Sequence, residues 1–169
     1  MRNHSKNAWY STFCWDKTVI IMTVFYNAII VACAIRPFWD HMLWVEILMV
    51  FLFLLPMLFW PIRLKVSDDE IKIFRPVGPV KVPFADVKSV SFIEDGEQFF
   101  DKLIRTFGSG GVYGYWGWYK HEKHGKVRMF VTDMKHCFLV KLKNGKMFVV
   151  SSTKRQEIVK FIGENIEIR

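Results

Sequence analysis

Two long apolar runs near the N-terminus, residues 18–35 and 42–60, are separated by only the six residues 36–41. At about 1.5 Å of rise per residue, each would make a helix of roughly 27 to 29 Å, close to the roughly 30 Å of a bilayer's hydrocarbon core. In the second run Leu43, Val45, Ile47, Leu48, Val50, Phe51, Leu52, Phe53, Leu54, Leu55, Leu58 and Phe59 each favour insertion by about 0.3 to 0.6 kcal/mol, or roughly 4 to 7 kcal/mol together. Glu46 opposes this by at most about 2.5 kcal/mol, and it lies one turn from the end, where its head group can reach the interface. A buried core hairpin is the competing reading, set aside because core helices seldom carry so many successive apolar residues. The expectation is a two-helix transmembrane hairpin. Trp15 and Trp60 would flank one interface and Trp39 and Trp44 the other, Pro56 would kink the second helix and Pro61 would end it.

An antiparallel hairpin puts both termini on one side. Arg2, Lys6 and Lys17 precede the first run and Arg63, Lys65, Lys72 and Arg75 follow the second, while the connection holds only Arg36. The positive-inside rule then predicts a multi-pass protein of the bacterial inner membrane with both termini cytoplasmic. A cleaved leader is a poor alternative, although Ile30-Val31-Ala32-Cys33 has the look of a lipoprotein box. The preceding segment is too long and aromatic for one, and a second apolar run follows at once.

Beyond the hairpin the chain is basic. Of a net charge of +8, residues 61–169 carry 20 Lys and Arg against 13 Asp and Glu, enough to suit either anionic headgroups or a solvated surface. Their length fits one compact domain, giving a division into a tail (1–17), a hairpin (18–60) and a domain (61–169). Cys14, Cys33 and Cys137 are odd in number and widely spaced, which gives neither a disulfide framework nor a zinc pattern.

Within the domain, strands are predicted at 62–66, 70–75, 80–83, 87–93, 127–132, 137–143 and 146–150. Asn144-Gly145 between the last two is a strong hairpin signal. Phe99, Phe100, Leu103, Ile104 and Phe107 fit one face of a helix within 97–107. Thr153 and Gln156 would form a capping box opening a C-terminal helix to about Asn165, with Ile158, Phe161, Ile162 and Ile166 as its apolar stripe. Half-exposed strands followed by one closing amphipathic helix describe a small barrel with a C-terminal helix.

Chemistry is concentrated, if anywhere, in residues 105–120, which hold five of the protein's ten glycines. The spacing fails as a dinucleotide fingerprint, since Tyr113 stands where the third glycine belongs, and no glycine is followed by Lys and then Ser or Thr as a P-loop requires. Tyr113, Tyr115, Trp116, Trp118 and Tyr119 interleave with glycine, and Arg105, Lys120, Lys123, Lys126 and Arg128 stand near them. These are the candidate contacts for a lipid surface or a partner; the opposing reading makes the aromatics core and the glycines tight packing. Base stacking is disfavoured for want of any nucleic-acid-binding signature. His121-Glu122-Lys123-His124 misses the zincin spacing because position 125 is Gly125, and His136 beside Cys137 shows no orienting partner. No catalytic residue, metal ligand or cofactor is expected. Asn27 and Glu46, polar within the apolar runs, are candidate helix-to-helix contacts.

Residues 105–118, then Gly125, Phe130-Val131-Thr132-Asp133, the Asn144-Gly145 hairpin and the Ser151-Ser152 helix start, resemble the bacterial pleckstrin-homology-like (PH-like) domain proteins of the envelope. The resemblance covers 61–169, and a two-helix anchor is common ahead of such domains. It implies a seven-stranded, strongly bent β barrel with a C-terminal capping helix, hence a membrane-anchored α+β chain. It also implies a non-enzymatic module for protein interaction or self-assembly, with anionic lipid headgroups as the alternative ligand. The first domain hairpin lacks a clear basic motif, because Lys65, Lys72 and Arg75 are offset by Asp68, Asp69 and Glu70; that argues against specific inositide binding.

Overall fold

The computed structural model describes residues 9–35, 43–93 and 96–167. Both apolar runs are helical: α1 spans Lys17–Ile35 and α2 spans Leu43–Phe59. Between strand β1 (Trp9–Thr12) and α1, Asp16 accepts the Val19 N–H on Oδ1 at 2.8 Å, closing the first turn of α1 as an N-cap does. The residues after α2 alternate, as the sequence predicts. They form β2 (Arg63–Val66), β3 (Glu70–Phe74), β4 (Val80–Pro83) and β5 (Val87–Phe92), followed by the short helix α3 (Gly96–Asp101). Then come β6 (Leu103–Gly111), β7 (Gly114–His121), β8 (Gly125–Val131), β9 (Cys137–Leu142), β10 (Met147–Ser151) and α4 (Arg155–Glu167).

The strands make two sheets, one in the order β1-β2-β3-β4 and one in the order β5-β9-β10-β8-β7-β6. All pairings are antiparallel except β8 with β10, which run parallel because β9 intervenes on the far side of β10. Leu64, Val66, Ile71 and Ile73 of the small sheet meet Phe130, Phe138, Val140 and Val150 of the large one, and Ile158 and Ile162 of α4 close that core. On the other face of the large sheet, Tyr119, Val127, Met129, Val131 and Val149 pack with Val19 of α1 and partly buried Trp15, Phe99 and Phe100. Strand β10 is therefore buried along its whole length, which explains why its sequence is an apolar run without alternation.

Several expectations change. Seven strands match the predicted positions, and β1, β6 and β7 are additional. Strand β1, within the stretch read as a tail, pairs antiparallel with β2, Trp9 opposite Val66. The helix expected over 97–107 stops at Asp101. From Leu103 the chain is strand β6, because Ile104, Thr106 and Phe107 suit a ladder with β7 better than a helix that would have to run on into Gly108. The cap of α4 falls on Ser152, whose Oγ accepts the Lys154 N–H at 3.1 Å.

The larger correction concerns the apolar runs. Among the described residues, no helix is long and apolar enough to cross a membrane. Helix α2 has 17 residues with Pro56 inside it, about 26 Å of rise against the roughly 30 Å required. The first half of α1 is committed to the β body. Val19 and Thr23 are buried there, and Asn27 bonds Tyr113. The expected transmembrane hairpin is thus overturned. The multi-pass inner-membrane localisation, with cytoplasmic termini inferred from it, falls with it. Arg2, Lys6, Arg36 and Trp39, which entered the topology and interface arguments, lie outside the described residues.

Candidate functional site

Where the two helices meet the β body, the aromatic residues of three segments converge. Strands β6 and β7 are joined at Val112 and Tyr113, and Tyr113 takes a left-handed φ of 53°, a conformation unfavourable for a side chain with a Cβ. Helix α1 holds it there. The Tyr113 N–H donates to Thr23 Oγ1 at 2.9 Å, its hydroxyl donates to Asn27 Oδ1 at 3.0 Å, and Asn27 Nδ2 donates in turn to the Thr23 carbonyl at 2.7 Å. Trp15 and Trp60, expected to flank a membrane interface, instead meet edge to face at 5.3 Å and both approach the Tyr113 ring. Phe59 stacks on Trp116 at 5.0 Å. The Leu58 carbonyl accepts the Val77 N–H at 3.0 Å, docking the end of α2 on the turn after β3. Between the helices the Tyr26 hydroxyl donates to the Leu52 carbonyl. Asn27 thus serves the β body rather than α2.

The glycine-aromatic block is a strand pair, not a loop. Tyr113, Tyr115, Trp116 and Tyr119 are each less than a tenth exposed, whereas Trp118 is 37% exposed. Burial pushes the Tyr119 hydroxyl up to about 12, and it donates to the Ser109 carbonyl at 2.5 Å. Gly108 and Gly117 lie opposite each other. A Cβ on Gly117 would stand 2.2 Å from the Phe107 carbonyl oxygen, so the two strands approach more closely there than side chains allow.

Cross-strand register sorts the five candidate cations. Lys120 lies opposite Lys126, and Trp118 opposite Arg128; residues opposite one another share a face of the sheet. Lys146, directly before Met147, follows Lys126 in the parallel pairing of β8 with β10. Lys120, Lys126 and Lys146 line one groove of about 580 Å³ with Thr106, Phe107, Trp118 and Tyr119, and no lining residue is acidic. Arg128 lies over Trp118, with Cζ 5.0 Å from the ring centroid. Its guanidinium is destabilised as a charge by burial and by neighbouring Arg75, so its pKa is lowered. Arg105 lies opposite Tyr119 and so faces the other way, and Lys123 sits on the turn between β7 and β8. Of the predicted cations, then, Lys120, Lys126 and Arg128 come together and Arg105 and Lys123 do not. Lys146 and Phe107 were missed as site residues. The only signal for Lys146 is the parallel register of β10, which strand periodicity does not reveal, and Phe107 joins the groove by lying opposite Trp118 in the β6–β7 ladder.

Cys137 is buried, its pKa raised by that burial and by Asp133, and its thiol donates to the Asp133 carbonyl, the opposite of an activated nucleophile. His136, for which the sequence shows no orienting partner, has one in the structure, where its Nδ1 meets Asp133 Oδ2 at 2.5 Å. His121 and His124 approach at 4.6 Å between rings, yet among the described residues no group of three or more His, Cys, Asp or Glu could hold a metal ion.

Among known families, the model of the bacterial PH domain matches residues 62–166, from the start of the small sheet through α4. Strand β1 and both N-terminal helices lie outside that match. No curated protein and no solved structure matches the chain.

Proposed function

The chain belongs to the bacterial PH domain family, and from that premise we propose that it is a non-catalytic interaction module that assembles with further copies of itself along α1 and α2. The observation that carries this reading is the outward face of the helix pair. Ile21, Val24, Phe25, Ile47, Leu48 and Phe51 are each about half exposed or more, on helices fixed to the β body at their body-proximal ends. Monomers rarely leave contiguous apolar surface of this kind uncovered. Two copies related by a twofold axis would cover it with the same residues on each side. Sedimentation of the full chain over a range of concentrations tests the proposal. The native chain should sediment as a dimer or larger, and Ile21→Glu with Phe25→Glu should give a folded monomer. A native chain that stays monomeric throughout contradicts it.

A second reading, recognition of anionic lipid headgroups, is favoured by the convergence of Lys120, Lys126 and Arg128 on one face. Unscreened charge would make such binding strongest at low ionic strength. Failure of the full chain to associate with anionic vesicles at low salt, beyond any association with neutral ones, rules it out.

A further inference from the structure

Strand β6 ends the large sheet, and among the described residues nothing pairs with its outer edge. We propose that this edge, with the lysine groove beside it, receives an extended acidic segment of a partner protein, which adds to the sheet as a further strand. The surface is distinct from the outward face of α1 and α2, so the inference goes beyond self-assembly along the helices.

Three observations converge on that occupant. The first is the backbone. Residues 104–107 of this edge strand are exposed and offer the outward main-chain groups on which peptide strands are received, whereas at its far end Ser109 and Gly111 are buried and Met22 of α1 lies near Gly111. A register shift between Arg105 and Phe107 divides the edge into two pairing runs, 103–105 and 107–111. The second is the apolar surface. Ile104 is 64% exposed, Phe107 60% and Trp118 37%. Ile104 lies opposite Lys120 and Phe107 opposite Trp118, so all share the groove face. Aromatic and arginine side chains together, as in Trp118 with Arg128 over it, are the residues that dominate protein interfaces.

The third observation is charge. Lys120 and Lys126 are directly opposite, with Lys146 next in the row, and like charges so placed destabilise a sheet. Among the described residues none of the three is paired with a carboxylate. A strand whose groove-facing positions, every second residue, carry apolar and acidic side chains in turn would answer all three features together, with main-chain bonds to β6, apolar contacts on Ile104 and Phe107, and carboxylates toward the row of lysines that begins at Lys120. A headgroup would answer only the charge.

The test uses the full chain and a labelled peptide of repeated Val-Thr-Glu-Thr, which turns Val and Glu to the same face, followed by fluorescence anisotropy. Binding is expected, with none for the Val and Lys counterpart. Replacing Lys120 and Lys126 by Gln should weaken it roughly threefold to tenfold, as for two exposed ion pairs. N-methylation of the peptide's alternate amides should weaken it about tenfold or more by removing main-chain donors, a change that leaves the protein's own fold untouched. Absence of peptide binding overturns the proposal, and so does binding indifferent to the lysines or to N-methylation. Lysine-dependent association with phosphatidic acid vesicles and none with the peptide overturns it in favour of the lipid reading.

Discussion

At the scale of single residues, the glycines of the β6–β7 pair and those of the turns do different work. Gly117 has a φ of 122°, and a Cβ there would meet backbone at 2.2 and 2.8 Å. Gly145 has a φ of 80° but open space around it. Gly117→Ala should therefore cost upwards of about 2 kcal/mol in urea unfolding, and Gly145→Ala only about 1 kcal/mol, from backbone strain alone. His121 gives a pH dependence. It is 3% exposed, stacks on Phe99, and accepts the Lys123 N–H on Nδ1 at 3.1 Å. Its pKa is lowered, first by burial, then by His124 and Lys102, with Lys123 adding to the effect and Glu122 opposing it. A histidine that holds fewer protons folded than unfolded contributes no pH dependence well above its ordinary value of 6.5. It destabilises the fold as pH falls through that value toward the lower folded one. The urea midpoint should drop between pH 7.5 and 5.5 in the native chain, and His121→Gln should remove its share of that drop.

At the scale of elements, the junction of α1 with the β6–β7 turn joins the helices to the body. Thr23→Val leaves the buried Tyr113 N–H without an acceptor and should cost about 1 to 3 kcal/mol, whereas Tyr113→Phe, which loses only the bond to Asn27, should cost about 1 kcal/mol. Paired denaturation curves would show the difference. The elements also divide by how legible they are in sequence. Strands β2 and β3 could be placed because Leu64 and Val66, and Ile71 and Ile73, alternate with charged neighbours, and β9 and β10 because Asn144-Gly145 separates two apolar runs. Strands β6 and β7 were hidden because glycine weakens every strand signal, although here Gly108 and Gly117 are what let the two strands close. Strand β1 is four residues long and reads as an aromatic tail until β2 is seen beside it. The apolar runs announced helices correctly. Their destination was misread because apolarity does not distinguish a lipid neighbour from a protein one, and the residues that make that distinction are isolated polar letters, Asp16 just before the first run and Thr23 and Asn27 within it. In the site, the aromatic cluster was visible as composition, but its burial and the grouping of Lys146 with Lys120 and Lys126 depend on register.

At the scale of the whole molecule, the large sheet is covered on one face by the small sheet and α4, and on the other by the segment around Trp15, Val19 and Phe99. Ser152 Oγ donates to Ser11 Oγ at 2.7 Å across a sequence separation of 141 residues, and Thr132 Oγ1 donates to the Cys14 carbonyl across 118. During synthesis, then, residues 11–14 can pair with β2 early but wait for their side-chain partners, since Thr132 and Ser152 must both be made before these two bonds can form. Such distant closures raise contact order and slow folding. Meanwhile the apolar stretches of α1 and α2 stand ready without the surface that α1 will clasp, so the growing chain has a long interval in which it depends on being shielded from its neighbours.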